Sequence, residues 1–236
     1  MKKASSYIFI LSLTLAGFLA VFPLKTASAE VGGYFGIWGA HTIASSARSE
    51  YYDDYYYHYY HDYDLDMSET WAAGVKAGYT MPQFKYISFE FEYSYLKPDI
   101  KRSIVERYGS DYIAVEGDVK LNNFMINVIG RYPRGRFHPY IGAGFGFSYS
   151  DMSAQATQRI SGVTTSAPVG KTYTSFSWQL LTGVEIDIIN HLSADIGYRY
   201  FATQIEFENS PDIYFENSTK VDFTAHMIAI GLKFLF

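Results

Sequence analysis

The sequence predicts an all-β fold: an eight-stranded antiparallel up-and-down transmembrane β-barrel, with short turns at one end and long loops at the other. Three observations predict it. Apolar and polar residues alternate with period 2 over segments of about ten residues or more, long enough to cross a bilayer when tilted. The connections between those segments are alternately short and long. The apolar parity is strongly aromatic, as a lipid-facing belt is. Composition agrees, since the 236 residues include 23 Tyr, 18 Phe and 19 Gly but only 7 Pro. Aromatics suit a pleated surface, and Gly weakens helix interiors. A hydrophobic content of 48% excludes a disordered chain. The absence of Cys excludes disulfides, thiolate metal sites, Cys nucleophiles and lipid attachment at Cys. A formal charge of −5 lends no support to nucleic acid as a partner.

In chain order, residues 1–29 read as an export signal that is removed. Lys2 and Lys3 form the charged start, Tyr7 to Leu24 the apolar stretch, and Ala27-Ser28-Ala29 the small-residue cleavage pattern. Cleavage leaves residues 30–236 as the barrel domain, with 16 basic and 24 acidic residues and a charge of −8. Strands are expected near 33–45, 70–81, 86–98, 117–132, 137–150, 174–187, 192–205 and 221–236. In the third, Ile87, Phe89, Phe91, Tyr93 and Tyr95 oppose Ser88, Glu90, Glu92 and Ser94. In the sixth, Phe176, Trp178, Leu180, Val184 and Ile186 oppose Ser177, Gln179, Gly183, Glu185 and Asp187. In the seventh, Ala194, Ile196, Tyr198 and Tyr200 oppose Ser193, Asp195, Gly197 and Arg199. The last alternates to its end, with Ile228, Ile230, Leu232, Phe234 and Phe236 on one parity.

A secreted sandwich also alternates, but its polar parity faces water and its connections follow no strict order. Here tight turns at 82–85, 133–136 and 188–191 are interleaved with long polar stretches at about 46–69, 99–116, 151–173 and 206–220. That order is the one an up-and-down barrel needs.

The chain resembles the small outer-membrane β-barrels of the OmpA, OmpX and opacity-protein type, within the broader porin-like barrels. The likeness lies in Tyr34 to Gly39, His138 to Gly144, Gly183-Val184-Glu185, His191 to Tyr200 and the terminal Phe236. The resemblance implies location in the cell outer membrane with both termini periplasmic. The expected partners are outer-membrane lipid, lipopolysaccharide and the barrel-assembly machinery, for which Phe236 is the assembly signal. No peptidoglycan-binding domain of the OmpA type is expected after the barrel, because the sequence stops at the last strand.

An eight-stranded barrel is just wide enough for its own side chains to fill. Parity directs Lys76, Glu90, Glu92, Arg131, Glu185, Asp187, Asp195, Arg199 and Lys233 inward. Five acids against four bases form either a salt-bridged plug or the wall of a narrow ion or small-solute channel. A wide pore is excluded, because water-filled porins need about 16 strands. Gly142, Gly144 and Gly146 share the inward face and relieve crowding there.

The first long loop is the most unusual segment. Tyr51 to Asp66 holds eight Tyr, five Asp, two His and one Leu, and residues 47–69 carry a net −6. Tyr55, Tyr56, Tyr57, Tyr59 and Tyr60 offer large amphipathic contact area at low entropic cost, which suits binding of an extracellular ligand. Asp53, Asp54, His58, His61 and Asp62, with Asp64 and Asp66, could instead hold a divalent cation, although their spacing fits no EF-hand or zinc pattern. A solvated loop that merely extends two strands is the third reading. Apart from that possible cation, no cofactor is expected. The fourth loop adds Glu206, Glu208, Asp212 and Glu216.

Enzymatic readings are weaker. His191-Leu192-Ser193 has the His-x-Ser spacing of barrel enzymes that modify lipid A, but it starts a strand at the periplasmic end, far from the outer leaflet. His226 falls on the outward parity near the outer interface. The expectation is therefore a non-enzymatic structural or adhesin-like surface protein, with a narrow channel and a lipid-modifying enzyme as the alternatives.

Overall fold

The computed structural model describes residues 32–50, 62–169, 172–207 and 219–236. Within them run eleven strands and no helix: β1 (Gly32–Glu50), β2 (Asp62–Asp66), β3 (Trp71–Thr80), β4 (Ile87–Leu96), β5 (Asp99–Tyr108), β6 (Asp111–Arg131), β7 (Phe137–Ile160), β8 (Val163–Val169), β9 (Thr172–Ile189), β10 (Leu192–Phe207) and β11 (Thr219–Leu235). Eight of them close a ring in the order β1, β3, β4, β6, β7, β9, β10, β11, with every pair antiparallel. Closure leaves the barrel staves no open edge in the bilayer, where an unpaired backbone group has no water to bond. The last residue is tied into the seam, since the Phe236 amide donates to the Gly33 carbonyl at 3.0 Å. The eight staves are the eight strands expected from alternation.

The differences lie at the long-loop end. The stretches 99–116 and 151–173 were expected as polar loops, yet they are mostly strand. β5 folds back on β6 through Gly109 (φ 66), and β8 folds back on β7 through Ser161 and Gly162 (φ 51 and 85). Both central residues of the second turn have positive φ, as a two-residue type I′ hairpin requires. These strands are hard to see in the sequence because polar or charged residues occupy both parities, as with Lys101 and Arg102 in β5 and Thr164 and Thr165 in β8. β2 pairs with the upper part of β1, and a bridge from Met67 to Ile100 links that hairpin to β5. The Tyr-rich segment 51–61, the export signal and residues 208–218 lie outside the described residues.

The faces of the staves exchange character along their length. On β7, outward Phe137, Ile141, Phe145, Phe147 and Tyr149 give way to Asp151, Ser153 and Gln155, while inward Gly144, Ser148 and Ser150 give way to buried Met152, Ala154 and Ala156. On β11, outward Phe234, Leu232 and Ile230 give way to Thr224 and Asp222, and inward Lys233 gives way to Met227, Phe223 and Val221. β6 repeats the exchange, from outward Val128 and Ile126 to Lys120 and Asp118. The cause is the solvent outside. Hydrocarbon demands an apolar exterior, whereas water above it favours apolar burial inside. From Phe137 to Tyr149 the belt is about 30 Å tall at roughly 2.6 Å of height per tilted residue. At the exchange level sit paired rings: His41 edge-on to Trp71 at 4.7 Å, Trp178 beside Tyr200 at 5.2 Å, and Tyr200 beside His226 at 5.0 Å. Such a girdle marks a membrane–water boundary.

Candidate functional site

All nine charged residues assigned inward by parity lie on the lumen side, but they do not fill its length. Eight are buried in the half nearer the short turns, and Asp187 is half-buried at the rim. Strand register sets their neighbours: Lys76 faces Gly36 and Glu92 across the ladder, and Asp195 faces Gly231 and Glu185. Glycine on one stave leaves room for a long side chain from another. A Cβ at Gly144 would fall 1.9 Å from Asn127 Oδ1, and one at Gly197 would fall 2.4 Å from the Tyr140 hydroxyl.

The charges neutralise one another across the barrel. Arg199 Nη1 donates to both oxygens of Glu92 at 2.7 and 2.8 Å, and its guanidinium lies 3.9 Å from the Trp38 ring centre. Gln179 Nε2 donates to Glu92 Oε1 at 3.2 Å and to Asn127 Oδ1 at 2.8 Å, and Asn127 Nδ2 donates to Glu90 Oε1 at 3.0 Å. The Tyr34 hydroxyl donates to the other Glu90 oxygen at 3.2 Å. Arg131 meets Glu185 at 2.8 Å, Lys233 meets the second oxygen of Glu185, and Lys76 meets Asp195 at 3.2 Å. Four buried acids and four buried bases thus balance in number; Glu92, Glu185 and Asp195 are in direct ion pairs, and Glu90 is held by neutral donors. Glu90 and Glu92, two residues apart on one face, are each held by separate partners and make no acid–base pair. Arg131 Nε and Asp195 Oδ1 are buried without a hydrogen-bond partner among the described residues and line the same small cavity, with Tyr34, Tyr140 and Lys233.

Above this network the lumen holds a hydrogen-bonded band of neutral polar groups (Ser94, Asn123, Ser148, Ser177 and Thr203) and a large apolar cluster. Trp38, Leu96, Leu121, Met125, Met152, Phe201, Phe223 and Met227 are all buried in one cluster. Alternation alone assigns one parity as polar throughout, and that assignment holds only below the exchange level. The tier above is the core of a water-surrounded barrel and follows ordinary rules of burial.

At the short-turn rim, Asp187 accepts from the Ser193 hydroxyl at 2.8 Å and contacts His138 Nε2 at 2.8 Å, while His138 Nδ1 contacts the Tyr132 carbonyl at 2.9 Å. Ser193 is fully buried and its hydroxyl donates to the Asp187 carboxylate rather than to His191, so the His191–Ser193 spacing does not bring together a His–Ser pair. His226 is outward, where it meets the Tyr198 hydroxyl. Among the candidate binding and metal residues of loop one, Tyr55, Tyr56, Tyr57, Tyr59, Tyr60, Asp53, Asp54, His58 and His61 fall outside the described residues. Asp62 is described only as a backbone partner of Glu50. Among the described residues no three His, Asp or Glu side chains group as metal ligands. Sequence reasoning did not assign the neutral partners Asn127 and Tyr34 to the lumenal network, nor His138 to the rim. The inward parity was the signal that could have found them.

Comparison with known proteins adds the family. The model of the outer membrane protein beta-barrel domain matches residues 11–236. Among solved structures, OprG of Pseudomonas aeruginosa is 15% identical, with 89% of this chain and 99% of that chain covered and a TM-score of 0.50. Neisserial surface protein A is 17% identical over 90% of this chain and 99% of that one, with a TM-score of 0.46. Ail, the attachment invasion locus protein of Yersinia pestis, is 15% identical over 86% and 99%, with a TM-score of 0.41. No curated protein matches the chain by sequence. With a closed ring of eight antiparallel staves and a family match over nearly its whole length, this chain belongs to the outer membrane protein β-barrel domain family.

Proposed function

We propose that this barrel is a non-conducting, non-enzymatic scaffold that carries an interaction surface outside the cell. In this reading both termini and the short turns face the periplasm, and residues 1–29 are removed on export. The observation that carries it is the two-tier lumen. A channel would have to pass the paired charges and then an apolar layer that includes Leu121, Met125 and Phe223, each 1% exposed or less. A permeating ion would be stripped of water there with nothing to replace it. Above the belt, β1, β6 and β7 continue beyond the membrane, and β5 and β8 widen them into a sheet. That framework has no use in crossing a bilayer and suits the display of loops. Loop one, with its eight Tyr and net −6 over residues 47–69, is the adhesin-like element and favours a basic partner. A divalent cation bound by its Asp and His residues is the secondary reading of the same loop. Phe236 serves the assembly machinery, and lipopolysaccharide surrounds the outer belt.

The test pairs two measurements on the refolded barrel and a 51–66 deletion, with folding checked by heat-modifiable gel mobility. Both proteins are expected to be silent in planar-bilayer recording. Cells displaying wild type should adhere to a surface coated with basic cytochrome c over one coated with acidic serum albumin, and the deletion should abolish the preference. Reproducible conductance steps in wild type would overturn the scaffold, and equal adhesion by the deletion would overturn the role of loop one.

A further inference from the structure

The short-turn rim has a charge pattern that neither the lumen nor the loops explain. Its three turns are neighbours: the Arg131 amide donates to the Tyr86 carbonyl at 2.7 Å, and the Asp187 amide donates to the Arg136 carbonyl at 3.0 Å. They form an arc spanning β3, β4, β6, β7, β9 and β10. Lys85, Arg134 and Arg136 are exposed on this arc, and none makes an ion pair with a described residue. No Asp or Glu lies in the turns 81–86, 132–136 or 190–191. Asp187, at the foot of the third turn, has its two oxygens occupied by His138 and Ser193. Arg136 uses Nε for the Asp187 backbone carbonyl at 2.8 Å, which holds its guanidinium at the rim. Of the cations towards the opposite end, Lys97 lies 3.4 Å from Asp118 and Lys120 lies 4.0 Å from Asp151, while Arg102 meets the Tyr112 hydroxyl at 3.3 Å.

Large aromatics stand beside the uncompensated cations. Phe84, Tyr86 and Tyr132 are all exposed and flank the same two turns. Aromatic rings at headgroup depth, with Lys or Arg just beyond them, are arranged to hold a phosphate-bearing lipid surface. The protein as a whole carries a formal charge of −5, so turns with three exposed cations and no Asp or Glu run against its overall charge.

We propose that Lys85, Arg134 and Arg136 form a binding arc for the phosphodiester headgroups of anionic phospholipids in the leaflet at the short-turn end. The chemistry stands without the proposed orientation. Only the naming of that leaflet as the periplasmic one rests on it. Each cation close to an anionic surface raises association about fivefold, and salt screens the effect.

The experiment reconstitutes the full barrel in phosphatidylcholine vesicles and measures its association with spin-labelled phosphatidylglycerol against spin-labelled phosphatidylcholine. The comparison protein is K85Q/R134Q/R136Q, checked for folding by gel mobility. Wild type should prefer the anionic lipid by about fivefold or more, and the preference should fall towards one in the triple variant and in high salt. The charge-conserving R134K/R136K should keep it. An equal preference in wild type and triple variant would overturn the proposal. Co-sedimentation of wild type, but not the triple variant, with purified peptidoglycan and no lipid preference would also overturn it, assigning the arc to an acidic polymer.

Discussion

Replacing Arg199 with Met should destabilise the barrel by about 3–5 kcal/mol, because it strands the Glu92 carboxylate in the lumen. The figure follows from the site. Glu92 is fully buried, Arg199 meets both its oxygens within 2.8 Å, and the remaining contact, from Gln179 at 3.2 Å, is neutral. Loss of the stacking of Arg199 on Trp38 adds about 1 kcal/mol. The double variant E92Q/R199M removes the stranded charge and keeps a hydrogen-bonding group at position 92. It should recover most of the loss and leave mainly the stacking deficit, a coupling of about 2–4 kcal/mol. Urea unfolding in lipid vesicles, followed by Trp fluorescence and gel mobility, reads each stability. A loss below about 1 kcal/mol for R199M, or additive losses in the double variant, would refute the claim that the pair is desolvated and mutually dependent.

Three further outcomes test the tiers and the rim. A143R, on the outward face midway between Phe137 and Tyr149, should cost about 2–4 kcal/mol, whereas Q155R, on the same face above the belt, should cost almost nothing; equal costs would misplace the boundary. F223A should cost about 3–5 kcal/mol in the same unfolding assay, since its ring is fully buried in the upper core. S193A should lose about 1–3 kcal/mol through its bond to Asp187, with lipid A acylation of expressing cells unchanged by mass spectrometry; a change in acylation would revive the enzyme reading.

The sequence by itself determined the staves and the direction of their side chains. Period 2 is a local property of extended backbone, so Lys76, Glu92, Arg199 and Lys233 could be sent to one side without knowing the ring. Gly109 and Gly162 carry the turns that hide β5 and β8, but polar residues on both parities erased the contrast that marks a strand. Only the tertiary structure decided which charge meets which. Glu92 and Arg199 are 107 residues apart and meet because β4 and β10 lie across a closed ring from each other. The apolar upper lumen belongs to the same class of fact. Alternation labels two faces but not what lies outside them, and the exchange at Tyr149 becomes visible only when all eight staves stand side by side. Solvent changes from hydrocarbon to water at that height, and it is solvent that decides which face is buried.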